Sequence, residues 1–393
     1  MNVPILSIVI PTRNRYSYLK SCLLSLHLIY NNPSVEIIIT DNSSPRENID
    51  SLLNTFSNIK YTYIDKPISQ VENFEFALNM VSGKYVTMIG DDDGLSGVLL
   101  DVVRYMENKS IDALNAPFAT YYWPDVISKS KSNKFSGKIY FENYSYSILK
   151  VNASTEIKNC LNVGATSLCN LPRMYYGIIR KDVINQVKAL TGQYFPGPSP
   201  DMANAFSSAL FVSKFVYFDA PLFIAGNSAK SAAGMGLAGK HVSEIEGNPQ
   251  LPKNCHLQWS SFVPKYWSGP TIWAETAVQV MHKTKRKDLE DQMNYLRLFA
   301  SCLIFNSEYQ TRTKDSIKKY MVGKTLLTKF KLLLEKINVW FLRLKFLIKN
   351  VINNYVGFNK SKVIEDVPNI NEASFLLKYY EAEIMNILLD EQK

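Results

Sequence analysis

Four short apolar runs near the start of the chain, ILSIVI (5–10), VEIIIT (35–40), IKYTYI (59–64) and KYVTMI (84–89), are separated by stretches with a helical period. Leu19, Cys22, Leu23, Leu26 and Tyr30 recur at that period after the first run, and VENFEFALNMVSG closes on Gly83 before the fourth. Strands that are apolar on both faces and alternate with helices predict a parallel sheet covered on both sides. Ligands of such sheets bind beyond the carboxyl ends of the strands. Here those ends read PTRNR (11–15), TDNSS (40–44) and GDDDG (90–94).

The 393 residues, 46% of them hydrophobic, exceed one ordinary core, so a main domain with an appendage is expected. Three segments are expected: 1–120 as the first half of the main domain, 121–245 as its second half, and 246–393 as a mostly helical C-terminal region. The formal charge of +9 suits a phosphorylated substrate, an anionic membrane surface or nucleic acid. Five scattered cysteines without a CxxC pair signal neither a disulfide framework nor zinc, which fits a reducing cytoplasm. The N-terminal run reads as a first strand and not as an export signal, and no stretch is apolar and long enough to span a bilayer.

Asp91, Asp92 and Asp93 sit side by side where a buried strand ends. Adjacent carboxylates repel there unless a cation neutralises them, and hard oxygen ligands favour Mn²⁺ or Mg²⁺. In a net basic chain, such a site suggests a diphosphate-bearing small molecule, with Arg13 and Arg15 able to pair with phosphate or ribose oxygens. Asp41 taken alone reads more often as a turn former or helix N-cap than as a ligand. Neither GxGxxG after the first run nor GxxxxGK[ST] anywhere is present, which argues against nicotinamide chemistry and ATP hydrolysis.

SIVIPTRNR, DNSS and GKYVTMIGDDD at these separations resemble the family 2 glycosyltransferases over roughly residues 5–120. The resemblance implies an α/β fold of the GT-A type, a Rossmann-like mixed sheet with helices on both faces, followed here by the helical C-terminal region. It implies that Pro11, Thr12, Arg13, Asn14, Asp41 and Asn42 bind the nucleotide of a nucleotide-sugar, together with Asp91. It also implies that Asp92 and Asp93 hold the metal. Gly90 stands where many relatives carry the first acidic residue of the DxD motif, so the division of roles among the three aspartates stays open. The family's catalytic base, an aspartate at a helix start about a hundred residues further on, would be Asp201 in GPSPDMANAF, with Asp182 competing for the role.

The resemblance therefore implies an inverting, metal-dependent transfer of a sugar from a nucleotide-sugar to a surface polysaccharide or lipid-linked oligosaccharide. A sugar-phosphate nucleotidyltransferase is the second enzymatic reading, although PTRNR lacks the glycines of its phosphate loop. A nucleic-acid-binding protein is the non-enzymatic one and ranks last, because no such module is visible. The segment GNSAKSAAGMGLAGKH (226–241) reads either as a loop closing over the diphosphate, with His241 as a further metal ligand, or as a linker. Phe330, Leu334, Ile337, Phe341, Leu344, Ile348, Val351 and Tyr355 form a heptad-like seam bordered by Lys and Arg. Three readings remain for residues 324–360: packing within the C-terminal region, attachment to the inner face of the cell membrane, and homo-oligomer formation.

Overall fold

The computed structural model describes residues 3–26, 32–127, 134–231, 234, 242–248, 250–356 and 362–391, with only the backbone of 349–356. Strands β1 (Leu6–Thr12), β2 (Val35–Asp41), β3 (Ile59–Tyr63) and β4 (Tyr85–Met88) alternate with helices α1 (Tyr16–Ser25) and α2 (Gln70–Asn79), as expected. There follow β5 (Gly94–Leu95), α3 (Leu99–Asn108), β6 (Ala113–Asn115), β7 (Phe118–Tyr122), β8 (Lys138–Phe141), β9 (Ile148–Val151), α4 (Ala153–Asn162), β10 (Gly177–Arg180) and α5 (Lys181–Thr191). Next come α6 (Pro200–Ala209), β11 (Phe215–Phe218) and β12 (Phe223–Asn227). The remaining elements are α7 (Gly269–Lys283), α8 (Tyr295–Phe305), α9 (Gln310–Tyr320), α10 (Leu326–Val356), β13 (Lys362–Ile364), α11 (Ile370–Phe375) and α12 (Lys378–Asp390), with short helical turns between some of them.

The main sheet runs β3-β2-β1-β4-β10-β6-β11-β9. Its first four strands are parallel, and β10 enters antiparallel to both β4 and β6. Side-chain alternation explains the continuous apolar runs. Leu6, Ile8 and Ile10 of β1 enter one core with Ile37 and Ile39 of β2, while Val9 and Ile38 enter another on the opposite face. Ser69 and Glu72 form a capping box that starts α2. The run FVYFDAPLFIA forms two strands: β11 joins the main sheet and β12 a second sheet, β13-β8-β7-β12-β5. Asp219, Ala220 and Pro221 break it between them.

The region from 246 onward is continuous with this domain. Helix α7 packs on α6, with the Ser199 amide donating to Thr276 Oγ1 at 3.0 Å, and so sets where α6 begins. Beyond α10 the chain returns: β13 pairs with β8, and Ser96 Oγ and the Gly97 amide donate to Glu381 at 2.9 and 2.8 Å. Ile370, Leu377, Ile384 and Leu388 are buried in the same core as β1. No helix among the described residues is long and apolar enough to cross a membrane.

Glu36, at the opposite end of β2 from the acidic triplet, is a buried carboxylate with a purely structural setting. Lys60 Nζ, Ser7 Oγ, Ser82 Oγ and the Ser82 and Gly83 amides all donate to it, at 2.5 to 3.0 Å. Burial alone would raise its pKa, but the donors from Lys60, Ser7 and Ser82 outweigh burial and bring it from 4.5 down to about 2. A depressed carboxylate stabilises the fold above its unfolded pKa, and that contribution is lost as pH falls through the folded one. Thermal melts should therefore lose on the order of 2–3 kcal/mol of stability between pH 5 and pH 2 through this group. Glu36→Gln should be less stable at neutral pH and flatter across that window.

Candidate active site

The carboxyl ends of β1 and β4 open into a cleft of about 530 Å³, lined also by β7, by the end of β12 and by the first turn of α6. Pro11, Thr12, Arg13, Asn42, Asp91, Asp92 and Asp201 all line it, although they come from four separate stretches of sequence. Asn14, Asp41 and Asp93 do not line it, and His241 lies outside the described residues.

Arg15 is the internal cation of the acidic end. Its Nε contacts Asp91 Oδ1 at 2.9 Å and its Nη2 contacts Asp92 Oδ2 at 2.5 Å. Burial opposes the charge on Arg15, but Asp91 and Asp92 prevail and hold its pKa above the ordinary value. Thr12 Oγ1 donates to Asp91 Oδ2 at 2.5 Å, and Ser228 Oγ to Asp92 Oδ2 at 2.6 Å. One guanidinium cannot balance three buried carboxylates. Burial accordingly pushes Asp91 and Asp93 upward, and the Asp92 charge adds to the push on both.

Asp93 is consumed by the protein. Gly226 N and Tyr176 Oη donate to its Oδ1 at 2.7 and 2.8 Å, and Gly90 N and Tyr175 Oη to its Oδ2 at 2.6 and 3.1 Å. Asp93 was expected to hold metal; here four donors occupy both of its oxygens, and the side chain braces the two sheets. Gly90 explains the departure from the usual acidic signature. A Cβ there would lie 2.9 Å from Asp92 Oδ1 and 3.0 Å from Asp93 Oδ2, so an acidic side chain would crowd the two carboxylates that follow.

Asp41 is likewise internal. Tyr16 and Tyr61 hydroxyls donate to its Oδ2 at 2.6 and 2.8 Å, and the Ser43 amide to its Oδ1 at 2.8 Å. It shapes the turn after β2 and is not among the residues that line the cleft. Asn14, with φ of 57°, accepts from the Ser44 amide at 2.7 Å while its own amide donates to Ser43 Oγ at 2.6 Å. It ties the loops after β1 and β2 together. Asn42 does line the cleft and is fixed by Asn73 and by the Ile68 carbonyl.

Asp201 stands in the first turn of α6, behind Pro200. Burial raises its pKa, and the Arg173 guanidinium partly offsets the rise. Asp182 heads α5 and is not among the lining residues. Sequence reading missed Tyr175 and Tyr176, which stand just before β10 (Gly177–Arg180). It also missed Ser228 and Arg173. An aromatic residue just before a strand has no periodic signature, so no local signal marks the two tyrosines, whereas Ser228 directly follows β12.

The donor set suits a hard divalent cation in part. Asp92 lines the cleft, and its Oδ1 accepts no hydrogen bond among the described residues. No group of three or more His, Cys, Asp or Glu side chains among the described residues surrounds one ion position. An ion at Asp92 would thus draw most of its ligands from a bound phosphate and water, as Mg²⁺ and Mn²⁺ usually do.

The chain thus carries a mixed α/β sheet with an acidic, arginine-balanced cleft at its strand ends. Residues 7–161 match the model of Glycosyl transferase family 2. Solved structures with a similar course include S. aureus TarS 1-349 in complex with UDP-GlcNAc, at TM-score 0.45 and 11% identity over 82% of this chain and 93% of that one. The same protein's 1-349 structure gives 0.45 and 12%, over 82% and 92%. A longer TarS structure gives 0.40 and 15% over 59% of this chain, which spans 38% of that chain. No curated protein matches the sequence.

Proposed function

We propose that the protein is an inverting glycosyltransferase that moves a sugar from a nucleotide-sugar, with help from Mn²⁺ or Mg²⁺, to a hydroxyl of a surface polysaccharide or lipid-linked oligosaccharide. The observation that carries this reading is one cleft that joins the PTRNR loop and Asp91–Asp92 to Asp201, contributed from the far half of the domain. Thr12, Arg13 and Asn42 form the donor side, and Lys230, whose Nζ lies 3.4 Å from the Asn14 carbonyl, adds positive charge beside it. Asp92, with Asp91 behind it, would hold the metal, which when bound stabilises the charge of the departing diphosphate.

Asp201 takes the proton of the acceptor hydroxyl as that oxygen attacks the anomeric carbon from the face opposite the leaving group. A raised pKa keeps this carboxylate more basic than an exposed aspartate. Arg15 holds Asp91 and Asp92 in place, and Asp93 braces them through Gly226. Phe118, Tyr122 and Tyr176 give the cleft aromatic surface.

A hydrolysis screen over UDP-, GDP- and dTDP-sugars with and without Mn²⁺ tests the reading. The expected result is metal-dependent release of nucleoside diphosphate from one donor; absence of both turnover and binding for every donor would remove the proposal. Asp92→Asn should raise the Mn²⁺ concentration for half-maximal rate at least roughly tenfold, as loss of a ligand does. Asp93→Asn should instead lower the melting temperature, because it breaks a brace and not a ligand.

A further inference from the structure

Helix α10 leaves most of its apolar surface uncovered. Phe330, Leu333, Ile337, Trp340, Phe341 and Leu347 are each about half exposed, from 45% at Ile337 to 58% at Phe341. At about 100° per residue these six fall within an arc of roughly 120°, which follows the helix for about 25 Å. The opposite side is packed around Glu335 and Val339, whereas Leu342 and Phe346, further along it, are 50% and 62% exposed. Val339, half a turn away from Phe330 on the helical wheel, is 3% exposed where α10 lies along α8, and Glu335 is held there by Arg297 at 3.1 Å. The seam read from sequence is therefore the outer face, so packing within the C-terminal region does not account for it.

Charge marks both margins of this face. Lys329, Lys336 and Arg343 run along one edge and Lys331 and Lys345 along the other, while the acidic Glu335 is turned inward to Arg297. Arg343 reaches over the Phe305 ring, extending the apolar strip onto the exposed end of α8. A contiguous apolar strip of this size is unusual on a monomer's surface and marks a partner. Aromatic and aliphatic side chains bordered on both edges by Lys and Arg match the boundary of acyl chains and anionic headgroups. A second copy of the same face would bring five cations against five, with the helix's own carboxylate already engaged.

We propose that α10 docks the protein on an anionic lipid bilayer, lying in the plane of the headgroups with Phe330, Trp340 and Phe341 inserted. This surface stands apart from the cleft and does not rest on the assignment of the reaction. It deepens that assignment by placing the cleft beside a membrane, where a lipid-linked acceptor resides.

Flotation of the full chain with vesicles provides the test. Binding to phosphatidylcholine vesicles containing about a third phosphatidylglycerol should exceed binding to phosphatidylcholine alone at least roughly tenfold, and should weaken as salt is raised. Phe330→Ser combined with Phe341→Ser should reduce binding at least roughly tenfold, and Lys329→Glu with Lys336→Glu should abolish the preference for anionic lipid. Both pairs are exposed, so circular dichroism melts and donor hydrolysis in solution should be unchanged. Equal binding to both vesicles, or undiminished binding by the serine variant, would overturn the proposal. So would a dimer in light scattering that the serine variant converts to monomer, since the face would then belong to a second copy.

Discussion

Asp201→Asn is expected to reduce sugar transfer by about a thousandfold while leaving nucleotide-sugar affinity within a few-fold of the wild type. The amide keeps the shape of the side chain at the start of α6 but cannot accept a proton from the acceptor hydroxyl. Burial raises the Asp201 pKa, with Arg173 pulling the other way, so the rate in the wild type should climb with pH through a limb above the ordinary aspartate range. That limb should vanish in the variant. Because the carboxylate is costly to hold in its partly enclosed place, the variant should melt no lower than wild type, which separates a catalytic from a structural role. Unchanged transfer would assign the proton to another group.

The second large effect is expected from Gly226→Ala, a change of one methyl group. A Cβ there would lie 1.8 Å from the Asp92 carbonyl oxygen and 2.6 Å from its carbon, and backbone cannot yield as a side chain can. The amide of Gly226 also braces Asp93, and Trp123 Nε1 donates to the same Asp92 carbonyl at 3.1 Å. Relief of the clash must therefore push the whole acidic segment away from β12. A loss of about 3 kcal/mol or more is expected, with a fall of several degrees in melting temperature and transfer near background. Gly269→Ala is the matched control: nothing lies within 4 Å of its Cβ, and stability should be unchanged or slightly higher.

The first four strands were legible because their signal is local: alternation of β-branched runs and helical spacing survives without knowledge of partners. The antiparallel entry of β10 between β4 and β6 was not legible, since it depends on pairing across about ninety residues of chain. The same divide runs through the site. Thr12, Asn42, Asp92 and Asp201 are singled out by their position at strand ends or a helix start, and the fold brings them to one cleft. Asp41 and Asp93 have identical local credentials, yet their partners, Tyr16, Tyr61, Tyr175, Tyr176 and Gly226, arrive from elsewhere and take their oxygens. Which carboxylates face ligand and which face protein is decided by those distant donors. Arg13 and Arg15 looked alike as phosphate partners, and only the fold shows Arg15 clasping two aspartates.

The return of residues 370–388 to the core of β1 bears on how the protein is made. The first strands leave the ribosome early, but part of the wall that shields them is encoded far downstream. Ile370, Leu377 and Ile384 reach their seats only after α10 has been synthesised. Until then the newborn sheet carries an uncovered flank, which makes it a natural client for chaperones. A frameshift or early stop after α10 would deprive the nucleotide-side sheet of its cover, even though every residue lining the cleft would still be present.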